Sequence, residues 1–276
     1  MMYLSTLLID TGTNPDRPRP GRLWLRNLYR VHQRLCMAFP SRSRKDADEE
    51  FLRPYDPKDF PEDRYLADKS PSEVGRDVLG HVHAKRNQNS GFLFRVEAQP
   101  GGRVVVLVLS ALKPDWEYAF HNARYLLAAA PSEPRPITLT LAPGSRFRFR
   151  LVANPTKRPP LTKEKWRERK TAGEQIKRPR QQLTWKPGDD PQEVFKGWLE
   201  RQAQRSGFLL LQASVSQMGY VYIRKGGEGS EGHRLRSVRY EGLLEVTDPE
   251  KFRAALAAGI GPAKAFGFGL LSLAPA

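Results

Sequence analysis

Cysteine is nearly absent from this sequence, and long hydrophobic runs are missing. Cys36 is the single cysteine among 276 residues, which excludes an intramolecular disulfide and a cysteine-based zinc cluster and predicts a reducing, cytoplasmic environment. Residues 1–9 are apolar, but the run is short, has no basic start and is closed by Asp10, which is not the pattern of a signal peptide. No other run approaches the roughly 20 apolar residues that a membrane span needs. We therefore expect a soluble, intracellular protein.

Several familiar catalytic motifs are missing as well. The chain has no Gly-x-Ser-x-Gly elbow, no Gly-Lys-Ser/Thr of a P-loop and no group of acidic residues and histidines that resembles a two-metal nuclease. His81 and His83 would offer two metal ligands if they lay on a strand, but no Cys, Asp or Glu stands at a standard spacing from them. A metal-dependent nuclease built on these two histidines stays an alternative, whereas our main expectation is no metal site and no cofactor.

Positive charge is what the chain has in excess. Lysine and arginine total 46 against 30 aspartates and glutamates, which gives a formal net charge of +16 and a pI near 10.1. This balance predicts a polyanionic partner such as RNA. A ribosomal-type protein or one that binds a membrane surface would have the same balance, so the charge indicates a class of partner and no chemistry.

The order of predicted elements indicates two similar α+β domains, each a ferredoxin-like or RRM-like β-α-β-β-α-β unit. The first is assigned to residues 1–143. Its predicted strands are at 3–9, 92–98, 103–110 and 137–141, and its predicted helices at 24–39 and 116–130. The charged stretch at about 41–90 matches neither pattern and is interpreted as an insertion on the surface.

The second predicted domain spans residues 144–276. Its predicted strands are at 146–152, 208–215 with 220–223, 235–246 and 270–273, and its predicted helices at 191–204 and 248–258. Residues 154–182 are rich in Lys, Arg and Pro and too poor in apolar residues to bury a core. We interpret them as a basic arm or hairpin for RNA, the alternative being a disordered, solubilising arm.

A glycine-rich segment, G-I-G-P-A-K-A-F-G-F-G, lies at residues 259–269 between a predicted helix and a short predicted strand. Its four glycines are Gly259, Gly261, Gly267 and Gly269. Glycine allows bends that other residues avoid, and its bare N–H group can approach a phosphate closely. Lys264 adds a cation to the segment. The simpler alternative is a helix end followed by a tight turn.

One histidine lies beside a tyrosine on a predicted helix. At about 100° per residue, Tyr29 and His32 fall on the same shoulder of the helix at 24–39. Because histidine titrates near neutral pH, such a pair suits proton transfer in a cleft. The alternative is a histidine at the helix boundary that only contacts a backbone carbonyl.

The sequence resembles the CasE endoribonucleases of type I-E CRISPR systems in three stretches: L-Y-R-V-H-Q-R-L at 28–35, G-E-Q-I-K-R-P-R at 173–180 and G-I-G-P-A-K-A-F-G-F-G-L-L-S-L-A-P at 259–275. The resemblance spans most of the chain except 41–90, which is longer than is typical of that family. It implies that Tyr29 and His32 are the catalytic pair and that the glycine-rich segment lies against RNA.

The resemblance also implies an activity. A CasE-like enzyme would cut precursor CRISPR RNA at the base of each repeat stem-loop without metal, by attack of the RNA's own 2′-hydroxyl, leaving 2′,3′-cyclic phosphate and 5′-hydroxyl ends. It would then retain the crRNA and join the other Cascade subunits. The alternative is a non-catalytic, RRM-like RNA-binding subunit in which Tyr29 and His32 only pack.

The residues expected to contact RNA are basic, as recognition of an A-form stem by its shape and phosphates requires. They are Arg26, Lys157, Arg158, Lys177, Arg178, Arg180 and Lys264. A helical lysine that assists catalysis in some relatives has no counterpart after His32, where Arg34 is the nearest cation. The sequence therefore leaves open which cation stabilises the transition state.

Overall fold

A computed structural model of the chain describes residues 1–12, 20–40, 91–121, 123–159, 180–224 and 232–276. These residues form two four-stranded antiparallel sheets with helices and one short two-stranded ribbon, so the predicted α+β class is confirmed. The predicted insertion at 41–90 lies outside the described residues, as do His81, His83, Lys177 and Arg178.

The first sheet has the strand order β2-β3-β1-β4. Its strands are β1 (Met2–Ile9), β2 (Phe92–Ala98), β3 (Val104–Ser110) and β4 (Arg135–Ile137). The apolar strand β1 is central and pairs with β3 from Tyr3↔Ser110 to Ile9↔Val104. Leu7, Phe94 and Val106 pack in the core between this sheet and its helices. The predicted hairpin is confirmed within one residue at each end.

The predicted helix at 24–39 is interrupted at residues 26 and 27, so that two helices form, α1 (Pro20–Leu25) and α2 (Leu28–Cys36). The prediction of a single helix was therefore wrong. Asn27 has an extended backbone, and its side-chain oxygen accepts a hydrogen bond of 3.1 Å from the Tyr29 amide, as an N-cap residue does. The cap starts a new helix just before Tyr29 and His32.

The predicted helix at 116–130 was too long, because α3 covers only Trp116–Phe120. The chain beyond it pairs with the part of β1 that β4 leaves uncovered. The Asp10 amide donates to the Leu126 carbonyl at 2.9 Å, and the Ala128 amide donates to the Leu8 carbonyl at 2.9 Å. Sheet hydrogen bonds thus replace helical ones. The fourth strand also comes earlier than the predicted 137–141.

The second sheet has the order β10-β5-β9-β8. Its strands are β5 (Arg146–Ala153), β8 (Phe208–Arg224), β9 (Gly232–Val246) and β10 (Leu271–Pro275), and its helices are α4 (Pro191–Arg205) and α5 (Pro249–Ala258). Asp190 and Asp248 cap the two helices, since each side chain accepts a backbone N–H of the first turn. Phe195 and Phe252 belong to the core beneath the helices.

Strand β8 is one long strand, so the prediction of separate strands at 208–215 and 220–223 was wrong. Its pairing with β9 shifts register between Leu210 and Gln212 and again between Val215 and Gln217. Each bulge changes which face of the sheet the following side chains occupy, and so interrupts the alternation that marks a strand in sequence.

The predicted basic arm begins and ends in a two-stranded ribbon. Strand β6 (Thr156–Lys157) pairs antiparallel with β7 (Gln181–Gln182). The two ends of the arm therefore meet as they would at the base of a hairpin, whereas residues 160–179 lie outside the described part of the chain.

A buried arginine joins the two sheets. Arg95 on β2 is 2% exposed, and its Nε donates to Glu97 Oε1 at 2.8 Å. Its Nη1 donates to the Leu270 carbonyl at 2.9 Å and its Nη2 to Ser272 Oγ at 2.8 Å. Burial lowers the pKa of Arg95 although the Glu97 charge opposes this. These bonds fix β2 to the chain that directly follows the glycine-rich segment.

Candidate active site

Helix α2 and the glycine-rich segment, more than two hundred residues apart in sequence, are in contact. The segment forms a short 3-10 helix at Lys264–Phe266 that packs on α2. The centroids of the Tyr29 and Phe266 rings are 6.1 Å apart, with the rings tilted by 45°. Two of the three stretches that carry the sequence resemblance thus form one surface.

His32 is half-buried on the same helix, among aromatic rings. Its imidazole stacks on Phe92 at 5.2 Å and on Phe94 at 6.3 Å between ring centroids. Cys36 Sγ lies 3.6 Å from His32 Nε2, within hydrogen-bond range for sulfur. Strand β2 and the next turn of α2 therefore hold the imidazole in one orientation.

Arg34, the cation nearest to His32 in sequence, does not belong to this surface. It is 2% exposed and donates from Nη1 to the Ala119 carbonyl at 3.2 Å. Burial lowers its pKa to about 10, against a weaker opposing effect of Tyr125. Two residues along a helix are about 200° apart, so Arg34 lies on the side of α2 opposite to His32. Arg34 therefore belongs to the core and not to the surface that carries His32.

Two predicted RNA-binding cations influence each other electrostatically at the 3-10 helix that packs on α2. Lys264 is half-buried in the 3-10 helix that packs on α2, and Arg180, exposed at the end of the basic arm, lies close enough to affect it. Burial first, and then the positive charge of Arg180, lowers the pKa of Lys264. A partly desolvated amine next to another cation attracts a phosphate more strongly than a solvated lysine does.

The other predicted RNA-binding residues within the described ranges are exposed. Arg26 is exposed at the junction between α1 and α2, and Lys157 and Arg158 are exposed on the ribbon at the base of the arm. Lys177 and Arg178 lie outside the described residues.

The four glycines all have positive φ, between 77° and 90°. Three of their amides donate within the protein: Gly259 to the Ala255 carbonyl, Gly267 to that of Lys264 and Gly269 to that of Val152. Because these three amides already donate hydrogen bonds within the protein, the predicted contact with phosphate depends on Lys264 and on the remaining backbone of the segment.

Gly259→Ala is expected to reduce the free energy of unfolding by about 1–3 kcal/mol. Gly259 has φ 78° and ψ 154°, a conformation nearly restricted to glycine. An added Cβ would also lie 2.7 Å from Leu93 Cδ2 on β2. Denaturant unfolding measures the loss. Gly144→Ala is the matched control, because Gly144 has φ 81° but open space around its Cα; equal losses would exclude the contact with β2 as a cause.

Sequence reasoning missed a partly exposed set of stacked aromatic and basic residues on β8, on β9 and in the chain after β7. The Arg234 guanidinium lies 3.8 Å from the Tyr220 ring centroid, and that of Arg236 lies 4.7 Å from both the Tyr220 and Trp185 centroids. We call Trp185, Arg236, Tyr220 and Arg234 the aromatic-basic ladder. The signal was there in sequence, since arginines at 234 and 236 and tyrosines at 220 and 222 alternate as strand residues do.

Within the described ranges, no three His, Cys, Asp or Glu residues form a group that could hold a metal ion. His81 and His83 are not among these residues, so the alternative that uses them is decided by experiment. In the same ranges, no helix is both long and apolar enough to cross a lipid bilayer.

Known proteins are similar to this chain in both sequence and fold. A sequence model of the CRISPR associated protein family matches residues 2–275. The chain is 34% identical over 217 residues to the CRISPR-associated endoribonuclease Cse3 of Thermus thermophilus, covering 75% of this chain and 90% of the relative. It is 26% identical to the CRISPR system Cascade subunit CasE of Escherichia coli, covering 99% of this chain and 100% of the relative.

A solved structure of Thermus thermophilus Cse3, bound to an RNA representing a pre-cleavage complex, superimposes with a TM-score of 0.62 at 28% identity. The match covers 99% of each chain. The family predicted from three short stretches is thereby confirmed along the chain. This protein belongs to the family of CRISPR-associated proteins that contains Cse3 and CasE.

Proposed function

We propose that the chain is a metal-independent endoribonuclease that cuts precursor CRISPR RNA at the base of the repeat stem-loop. The observation that carries this is the packing of the glycine-rich segment and its Lys264 on the helix of Tyr29 and His32. The names of the Thermus relative, an endoribonuclease, and of its RNA-bound, pre-cleavage structure support the same activity.

The reaction needs proton transfer and charge stabilisation, both of which this surface offers. The 2′-hydroxyl attacks the adjacent phosphorus, the new O2′–P bond closes a 2′,3′-cyclic phosphate, and the P–O5′ bond breaks. His32 takes the proton from the nucleophile or gives one to the 5′-oxygen. Tyr29 orients the ribose or assists that transfer, and Lys264 with Arg180 neutralises charge on the phosphoryl oxygens.

Chelation is the first test of this mechanism. In EDTA, the protein is expected to cut a labelled repeat stem-loop at its full rate and to leave 2′,3′-cyclic phosphate and 5′-hydroxyl ends, since no step uses a metal ion. The ends are read by end-labelling with and without phosphatase treatment. Loss of cutting in EDTA, or 5′-phosphate ends, would favour the metal-dependent alternative with His81 and His83.

The basic arm is proposed to hold the RNA stem by its phosphates. Replacing Lys177, Arg178 and Arg180 with alanine is expected to weaken stem-loop binding and to lower the slope of log affinity against log salt by about 2 to 3, roughly one per lost phosphate contact. Titrations at several salt concentrations measure both.

A control variant removes the same charge from exposed helix positions, namely Arg201, Arg205 and Arg253. It is expected to leave the slope nearly unchanged. Equal slopes for the two triple variants would assign the arm a solubilising role instead.

The architecture is proposed to be two ferredoxin-like domains, 1–143 and 144–276. When the four strands of each sheet are numbered within their own half, both sheets have the order 2-3-1-4, and the helices follow the first and third strands in both. The ribbon of β6 and β7 is an addition to the second unit.

After cleavage, the protein is proposed to retain the crRNA and to join other Cascade subunits in the cytoplasm. The name of the E. coli relative, a Cascade subunit, supports this. Co-purification of the remaining subunits with tagged protein and repeat RNA tests it.

A further inference from the structure

The aromatic-basic ladder holds two arginines against aromatic rings. Its inner end is anchored in the core, because the Trp185 ring packs edge-on against the buried Phe195 ring with 5.7 Å between centroids. The Arg236 guanidinium lies 4.7 Å from the centroids of Trp185 and Tyr220, and that of Arg234 lies 3.8 Å from the Tyr220 centroid at the outer end. Packing on rings therefore fixes where both guanidinium groups lie.

The two charges of the ladder are not neutralised by acidic neighbours within the described ranges. The ion pairs found there include neither Arg234 nor Arg236, and Nε of Arg236 has no hydrogen-bond partner in the same ranges. Rings cover the face of a guanidinium, whereas a phosphate binds its N–H edge, so that stacking and phosphate binding are compatible. The ladder thus presents two ordered cations.

The spacing of these cations suits one strand of a nucleic acid. Arg234 and Arg236 are two residues apart on β9 and pair with Tyr222 and Tyr220 on β8. Alternate residues of a strand face the same side and are about 6.7 Å apart, which is comparable to the distance between neighbouring phosphates of an RNA strand. Both arginines can therefore reach the same strand.

The base of the basic arm connects the ladder with the candidate active site. The Gln182 side chain on β7 donates to the Arg234 carbonyl, which places the ribbon against β9. Arg180, two residues before Gln182, lies close enough to Lys264 to lower its pKa. RNA that the arm holds near Lys264 is therefore also close to the ladder.

We propose that the ladder binds two neighbouring phosphates in one strand of the RNA stem, one at Arg234 and one at Arg236, while Trp185 and Tyr220 hold the guanidinium groups in place. This inference rests on the proposed function for the identity of the RNA. It adds to the arm a second anchor, built on the sheet itself.

The chemistry of the ladder favours stem phosphates over bases. The bases of a duplex are stacked inside it and are not free to lie on tyrosines, and A-form stems are recognised mostly by shape and backbone contacts. An arginine that is already held by a ring loses little conformational entropy when it binds. The ladder is therefore expected to bind phosphate more tightly than two mobile surface arginines would.

The first test compares salt dependence in the full chain carrying His32→Ala, so that the labelled repeat stem-loop stays intact. Adding Arg234→Ala with Arg236→Ala is expected to lower the slope of log affinity against log salt by about 2, one per lost phosphate contact. The affinity ratio between the parent and this variant should therefore shrink roughly tenfold from about 50 to 200 mM salt.

The matched control is Arg201→Ala with Arg205→Ala, which removes the same charge from exposed positions of α4. It is expected to leave the slope nearly unchanged. Equal slopes for the two double variants would overturn the inference, because the ladder would then act only through the net charge.

Uncharged methylphosphonates, placed at one stem position at a time, locate the contact. At two neighbouring positions of one strand they are expected to weaken binding of the parent protein and to have little further effect on the ladder double variant. A variant that was merely misfolded would bind more weakly but keep the parent's sensitivity at every position. The absence of any position at which the two changes are coupled would contradict the assigned contact.

The rings are tested separately from the charges. Trp185→Ala with Tyr220→Ala keeps both arginines, so we expect weaker binding with a nearly unchanged slope, whereas Tyr220→Phe keeps the ring and should bind as the parent does. Native affinity in the double alanine variant would overturn the role given to stacking.

Failure of this inference is distinguishable from failure of the proposed function. If the protein with native His32 cuts the stem-loop and the ladder double variant binds it as tightly as the parent, the ladder does not hold the stem. If that variant loses only its association with other Cascade subunits, the ladder binds protein instead. A native protein that cuts no stem-loop, but in which the ladder and two phosphates are coupled, would contradict the endoribonuclease and leave the ladder as an RNA site.

Discussion

His32→Ala is expected to slow RNA cleavage by about 10²- to 10⁴-fold while binding of the stem-loop changes little. This is the range that general acid-base catalysis contributes, and the imidazole contacts Phe92 and Phe94 on β2 and Cys36 on its own helix. Single-turnover cleavage in EDTA measures the rate, and a filter-binding titration of the same variant measures affinity.

His121→Ala is a matched control, because His121 is also half-buried but is the C-cap residue of α3. It is expected to cut at the native rate. Native rates for His32→Ala would remove the imidazole from the mechanism. A native protein that binds hairpin RNA tightly and never cuts it would identify a non-catalytic RNA-binding subunit, in which Tyr29 and His32 are packing residues.

Arg95→Met is expected to be the most destabilising single change outside the apolar core, at about 3–5 kcal/mol in the free energy of unfolding. The substitution leaves Glu97, 6% exposed, with Arg150 at 3.4 Å as its remaining ion-pair partner among the described residues. The Leu270 carbonyl and Ser272 Oγ also lose their donor. Denaturant unfolding at neutral pH measures the loss.

Two further variants test whether burial of the Arg95–Glu97 ion pair causes this loss of stability. Arg146→Met breaks an ion pair with Glu245 whose arginine is 60% exposed, and exposed pairs contribute about 0–1 kcal/mol. The double variant Arg95→Met with Glu97→Leu should recover part of the loss, since it removes the uncompensated charge. A loss at Arg95 no larger than at Arg146 would contradict the role given to the buried cluster.

Sequence alone predicted the strands well where alternation is regular and local. β5 reads Arg146-Phe-Arg-Phe-Arg, and the structure exposes its arginines while Phe149 is buried. The same holds for the hairpin of β2 and β3, which a Pro-Gly-Gly turn marks. In both cases, neighbouring residues carry the whole signal.

The errors arose where distant chain segments decide the local structure. The chain after α3 leaves the helix because the uncovered edge of β1 needs hydrogen-bond partners, and that edge is more than a hundred residues earlier in sequence. The bulges of β8 follow from pairing with β9. Neither feature leaves a recognisable pattern in the sequence of the residues that form it.

The residues of the candidate site also include some that the sequence could predict and some that it could not. Tyr29 and His32 could be selected because their spacing places them on one helix face, and Lys264 because it stands among glycines. The contact between Tyr29 and Phe266 could not, since these two residues meet only through the fold. Arg34 shows the opposite error, because a cation two residues from His32 is close in sequence but on the other side of the helix.

The contact between Tyr29 and Phe266 has a consequence for the order of events during synthesis. The helix of Tyr29 and His32 leaves the ribosome long before the segment that packs on it, and domains fold largely as they emerge. A nascent chain with only its first half folded presents His32 without Lys264, Arg180 or the basic arm. The surface that the proposed function uses is therefore complete only once the second half of the chain has folded.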